Sequence, residues 1–261
     1  MGALLRSGPM GNQGFRSCVV CAGLSGLVAL TVSGCGSSGT SAAPPSSGSA
    51  SAKAGATISG TALQQQLQRA RRGKSAQVTE STGDQGAFTA DGVVSFAEDG
   101  TATERMVEHV GGKKANLVYA GDVLYLHIPS DGSGWISVRP GGTDALSEQL
   151  APLLSAMRQS EGGQAVGAAG VTWRVTASTP SAVTYRTHLT AAQVKAQATK
   201  LGTSKLVKVP ASGEDIIEVV SSRKLLRSMQ VLADGQTTMR AQYSHWGPAI
   251  KITAPANSVP A

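Results

Sequence analysis

The stretch that decides the fold is residues 225–260, LLRSMQVLADGQTTMRAQYSHWGPAIKITAPANSVP. Met229 and Val231 alternate with Ser228 and Gln230, while Met239, Ala241 and Tyr243 alternate with Arg240, Gln242 and Ser244. Successive strand residues point to opposite faces, so this period of two reads as strands with one covered and one wet face. Strands are expected over 224–233, 236–246 and 249–254, with another before them at 214–222.

The same reading extends toward the N-terminus. KSAQVTES (74–81), GAFTADGVVSFAE (86–98), TATERMVEHV (101–110), KANLVYAG (114–121), VLYLHIP (123–129) and WISVRP (135–140) alternate or are rich in β-branched residues. Short links such as Asp99-Gly100 and Gly121-Asp122 imply antiparallel hairpins. Two more strands are expected at 171–178 and 182–189. In the second, Val183, Tyr185 and Leu189 face one way and Thr184, Arg186 and His188 the other.

Three helical segments interrupt the strands. The first begins near residue 58, with Thr61 and Gln64 at capping-box spacing and Leu63, Leu67 and Ala70 as its apolar stripe, and stops at Gly73. The second covers 143–158 and carries Leu146, Leu150, Leu153, Leu154 and Met157 on one face. Pro152 is expected to kink or split it, because proline lacks the amide donor and crowds the preceding turn. The third, 190–201, repeats the capping-box spacing with Thr190 and Gln193, buries Val194, Ala198 and Leu201, and stops at Gly202. The expected architecture is therefore α+β, a large curved antiparallel sheet forming a half-barrel with about three helical segments on its concave face.

The first 57 residues read differently. Arg6 and Arg16 precede an apolar run from Cys18 to Val32. Fifteen residues make about 22 Å of helix, short of the roughly 20 residues that a bilayer core needs. The run suits a signal-peptide core better than a permanent span. It ends in Val32-Ser33-Gly34-Cys35, the lipobox order of an aliphatic residue, two small residues and a cysteine. The Cys35 thiol would accept a diacylglycerol. Residues 1–34 are expected to leave as a signal peptide and to take Cys18 and Cys21 with them. Cys35 would then be the only cysteine, which excludes an internal disulfide or a cysteine metal site. Residues 36–57, GSSGTSAAPPSSGSASAKAGAT, bury little apolar surface and read with Cys35 (35–57) as a disordered tether. Its mean span is roughly 25 Å. Residues 58–261 form the domain. The expected location is the outer face of the cytoplasmic membrane, held by lipid.

Enzymatic signatures fail one by one. Gly73-Lys74-Ser75 resembles the end of a phosphate loop, but Gln68 stands where the earlier glycine belongs. Ser221 and Lys224 have Ser-x-x-Lys spacing, yet in an expected β-turn and without companion motifs. His109, His127, His188 and His245 stand singly on strands, and Glu214-Asp215 opens a strand. No catalytic residue, metal ligand or cofactor is nominated, and the expectation is that the chain is not an enzyme. The full chain carries 23 basic and 16 acidic residues, for a formal net charge of +7. Cations cluster at Arg69, Arg71, Arg72 and Lys74, at Lys195, Lys200, Lys205 and Lys208, and at Arg223, Lys224 and Arg227. Some complement helix C-termini. A basic surface would also attract anionic headgroups or wall polymers. Nucleic acid is not expected as a partner, because the domain holds few aromatics for stacking.

Three passages together resemble a known family: AGDVLYLHIPSDGSGWISV (120–138), VTYRTHLTAAQ (183–193), and the 225–260 stretch with its Tyr-Ser-x-Trp-Gly and Ala-Pro tail. They are similar to the actinobacterial lipoproteins of the LppX/LprG type, within the LolA-like carriers. The resemblance implies a half-barrel whose mouth is filled by helices, with an apolar cavity that takes the acyl chains of lipids or lipoglycans. The lining residues expected on that basis are Leu124, Leu126, Ile128, Val183, Tyr185, Met229, Val231, Met239 and Tyr243. The competing expectation is an envelope scaffold or sensor with a filled core, which binds a protein partner and has no ligand cavity.

Overall fold

A computed structural model describes residues 53–83, 88–132, 134–161, 170–200, 203–204 and 208–261. The expected signal peptide, the lipobox residues Val32, Ser33 and Gly34, Cys35 and most of the tether lie outside them, as do Leu201, Gly202 and Lys205.

Among the described residues, thirteen strands form one open sheet. They are β1 (Thr57–Ser59), β2 (Lys74–Thr82), β3 (Phe88–Phe96), β4 (Ala102–Val110), β5 (Lys113–Ala120), β6 (Val123–His127), β7 (Ile136–Val138), β8 (Thr172–Ser178), β9 (Ala182–Leu189), β10 (Glu214–Ser221), β11 (Leu226–Ala233), β12 (Gln236–Pro248) and β13 (Val259–Pro260). Their order is β1-β8-β9-β10-β11-β12-β2-β3-β4-β5-β6-β7-β13. Every neighbouring pair is antiparallel except β13 on β7, which is parallel. The α+β half-barrel expectation is met. The first and last strands, β1 and β13, form the two sheet edges, and both are short. Brief edge strands offer little unpaired backbone to other chains.

Among the described residues, three α-helices cover one face: α1 (Gly60–Arg71), α2 (Ala145–Glu161) and α3 (Ala191–Lys200). Leu63 and Leu67 of α1 and Val194 of α3 enter one core cluster with Val78, Trp173, Tyr185, Ile216, Met229 and Tyr243 of the sheet. Leu150, Leu154 and Met157 of α2 form a second with Tyr119, Leu124 and Val138. The covered face is therefore continuous across the sheet and has two helix-backed centres.

Several local expectations change. The cap of α1 is Ser59, whose Oγ accepts from the Ala62 amide at 3.2 Å, not Thr61. The reason lies upstream. Residues 57–59 form β1 against β8, and backbone bonds Gly55 N–H to Val175 and Val175 N–H to Ala56 extend the pairing into the stretch read as tether. Pro152 does not split α2, which is continuous through it. Buried Leu150 and Leu154 hold the turns on either side against the sheet, which offsets the one lost amide donor. The expected strand at 249–254 is absent. The Ile250 amide donates to Ser95 Oγ and the Ala249 amide to Gly73 carbonyl, so this segment satisfies its backbone outside any ladder. The third helix follows the sequence closely. The Thr190 amide donates to Gln193 Oε1 at 2.9 Å and the Gln193 amide to Thr190 Oγ1 at 3.3 Å, a reciprocal capping box.

Gly92 of β3 explains some of the curvature. A Cβ there would lie 2.1 Å from the Arg105 carbonyl oxygen and 2.8 Å from Met106 Cα. Only glycine permits strands β3 and β4 to approach so closely, and such points are where sheets bend.

Candidate functional site

The ladder registers align one row of inward residues across nine strands. From β8 to β5 it runs Val175, Tyr185, Glu218, Met229, Ala241, Glu80, Ala90, Glu108 and Ala115. All nine are buried. Three are glutamates. The row four residues along the strands, through Ala76 and Val94, places Glu104 on the same face. Glu214, which shares the parity of Ile216 and Glu218 on β10, joins them, so the covered side of the sheet carries at least five carboxyl groups, with Ala90 between Glu80 and Glu108.

Their surroundings decide their charge. Loss of water raises the Glu218 pKa to about 8. Desolvation, then the nearby Glu80, raises Glu108 to about 8. Half-buried Glu104 is raised to about 8 by the same two causes, and Glu80 to about 7 by desolvation. At pH 7 Glu104, Glu108 and Glu218 are mainly neutral acids. Glu108 and Glu218 each keep one oxygen, Oε2, with no hydrogen-bond partner.

A narrow pocket of about 40 Å³ lies between α1 and the sheet, partly open to the outside. Gln64, Leu67 and Arg71 line it from the helix, and Phe96, Glu218, Leu226, Met229, Tyr243 and Trp246 from the sheet. The rings of Phe96 and Trp246, and of Tyr243 and Trp246, stack with centroids 6.2 Å apart. The Arg71 guanidinium sits over the Phe96 ring, 4.4 Å from its centre. Trp246 Nε1 donates to the Leu226 carbonyl, which fixes that wall. The Tyr243 hydroxyl is buried and has no hydrogen-bond partner. Desolvation, followed by the field of Glu80, pushes its pKa well above 10.

All nine lining residues expected from the sequence lie within or against the core of the fold. Met229 and Tyr243 line the pocket under α1. Leu124, Leu126, Ile128, Val183, Tyr185 and Met239 are buried among neighbours, and Val231 packs against them partly exposed. Sequence reasoning missed Glu80, Glu104, Glu108 and Glu218. Their signal was parity. Each occupies an inward position in an alternating strand, as in Ala76-Val78-Glu80 and Ile216-Glu218-Val220.

On the outer face, Asp215 binds Arg186 at 2.8 Å and His188 Nδ1 at 3.2 Å. Arg186 and His188 are half exposed, so the pairing adds little stability. Arg69 of α1 meets Arg223 and Lys224, from the turn between β10 and β11, around one open groove. No group of three metal-ligating side chains occurs among the described residues. No helix among them is long and apolar enough to cross a membrane.

No protein-family model matches the chain, and no curated protein matches it. Solved structures with a similar outline include the protein CT021 from Chlamydia trachomatis, at 11% identity and a TM-score of 0.37 over 77% of this chain and 97% of that one. Another is the LolA superfamily protein NE2245 from Nitrosomonas europaea, at 8% identity and a TM-score of 0.29 over 75% and 96%. Likenesses this weak carry no argument about activity.

Proposed function

We propose that this chain is a lipoprotein, anchored through a diacylglyceryl group on Cys35 at the outer face of the cytoplasmic membrane, that binds and passes on a lipid or lipoglycan between its sheet and helical cover. The observation that carries the binding half is the unfinished polar floor under α1. Glu218 and Tyr243 are buried at a pocket and leave an oxygen each without a partner. An unpartnered buried polar group costs about 1–3 kcal/mol, which an amphiphile entering the pocket would recover. Burial of its hydrocarbon would add roughly 25 cal/mol per Å². The resemblance read from the sequence supports the same reading, and the Val-Ser-Gly-Cys motif supports the anchor. The basic groove of Arg69, Arg223 and Lys224 supports an approach to anionic headgroups.

One observation favours the competing scaffold or sensor. The narrow pocket of about 40 Å³ is too small for an acyl chain as it stands. Carriage therefore requires α1 to rise from the sheet.

Native mass spectrometry of the chain extracted from envelope membranes tests the binding. A bound lipid mass in a reproducible share of molecules is the expected result, and a bare chain under every mild extraction would favour the scaffold. The anchor has its own test. Cys35→Ala is expected to abolish the globomycin-sensitive mobility shift and release the chain from membranes. Normal processing and attachment of that variant would overturn the anchor and leave lipid binding untouched.

A further inference from the structure

The pocket under α1 also specifies the chemistry of what enters it, an inference that rests on the lipid-binding reading. Besides Trp246, whose N–H is spent on Leu226, four of its lining side chains carry N–H or O–H hydrogens at neutral pH. Tyr243, 5% exposed, keeps its phenolic proton because burial holds its pKa far above the neutral range. Glu218, 2% exposed, is mainly a carboxylic acid at pH 7. Gln64 contributes an amide N–H, and the Arg71 guanidinium stands beside them over Phe96. The Tyr243 hydroxyl and one Glu218 oxygen have no partner within the described residues. A buried concavity that presents several hydrogen-bond donors, with the Tyr243 hydroxyl and one Glu218 oxygen still unpartnered, is complementary to an acceptor-rich group.

Size narrows the choice. A volume of about 40 Å³ admits about three water-sized atoms. That is room for the three heavy atoms of a carboxyl group without further opening. The remaining wall is apolar: Leu67, Leu226, Met229 and the faces of Phe96 and Trp246.

We propose that this pocket receives the carboxylate head of an amphiphilic carboxylic acid, held by O–H donation from Tyr243 and Glu218 and N–H donation from Gln64, with its hydrocarbon part leaving along the apolar wall. Glu218 acts as the pH-sensitive donor. The groups that face it are Tyr185 on β9, Gln64 and Arg71 on α1, and Tyr243 on β12, with Glu80 and Glu104 further along the sheet within the field felt at Tyr243. When Glu218 ionises, a donor becomes a negative charge aimed at the ligand.

The test compares decanoate, methyl decanoate and decanol on the full chain in native mass spectrometry. At pH 7 decanoate is expected to bind about tenfold more tightly than the other two, the scale of a charge-assisted hydrogen bond. Between pH 7 and 9 that affinity falls about tenfold as Glu218 ionises. Glu218→Gln keeps an N–H donor but cannot titrate, so it retains binding at pH 7 and abolishes the alkaline loss. Tyr243→Phe weakens decanoate about tenfold and leaves the methyl ester unchanged. Equal binding of the three ligands overturns the carboxylate assignment while lipid binding stands. An alkaline loss that survives in Glu218→Gln overturns the role of Glu218. Binding of none of the three overturns this inference, while the lipid-binding reading stands or falls on the masses carried by the envelope-extracted chain.

Discussion

At pH 8.5 the Glu218→Gln chain melts well above the unsubstituted chain, while at pH 4 the two melt together. Glu218 has an ordinary pKa of 4.5 and a folded-state pKa of about 8. Between those values the folded chain holds a proton that the unfolded chain has released. Stability is therefore complete below about 4.5 and is lost progressively as pH rises to about 8. Allowing for relaxation around the ionised group, the loss at this one residue is about 3 kcal/mol. That is roughly 6–12 °C in Tm for a domain of this size. The amide of glutamine fills the same space and does not titrate. Glu80, Glu104 and Glu108 have raised values as well and slope the same way. Asp215, held low by Arg186, gives the opposite slope, but only as pH falls through and below its ordinary value of 3.8. The whole chain is thus most stable in mild acid. Thermal melts from pH 4 to 9 check this, and a Tm that rises from pH 5 to pH 8 would refute it.

The second large effect belongs to Gly92→Val. Its new Cβ would meet backbone, the Arg105 carbonyl oxygen and Met106 Cα, as well as Met106 Sδ, and only the last of these can yield by a side-chain rotation. Strands β3 and β4 would have to separate at the centre of the sheet. Overpacking typically costs 1–3 kcal/mol and more when backbone must move, so about 3 kcal/mol or more is expected, roughly 6–12 °C in Tm. Gly92→Ala introduces the same Cβ and should lose a large share of it. A neutral alanine variant in a thermal melt would show that the strand pair yields there without cost.

Much of this architecture was legible because strands advertise their faces. Alternation in 225–246 and 182–189 places Met229, Met239, Tyr243, Val183 and Tyr185 on the covered side, where the structure has them. The capping box of Thr190 and Gln193 was legible for a similar reason: it is local. The misreadings share the opposite cause. Ser59 became a helix cap only because residues 57–59 pair with β8, more than a hundred residues away. The 249–254 segment alternates like a strand, but Ser95 and Gly73 capture its amides. The acidic row was visible as glutamates at apolar parity, yet a single alternating strand does not reveal that Glu218, Glu80 and Glu108 share one row. Only the register across nine strands does so. The pocket is harder still, because Arg71 and Trp246 reach it from elements far apart in the chain.

Strand β1 is contiguous with helix α1: Ser59 ends one and Gly60 begins the other. The backbone clasp of residues 55–60 on β8 therefore secures the roof of the pocket as well as an edge of the sheet. Under the proposed anchoring, tension along the leash from Cys35 arrives first at that clasp. Unzipping three short residues of edge would free the helix they lead into, so mechanical pull from the bilayer and uncovering of the pocket become one event.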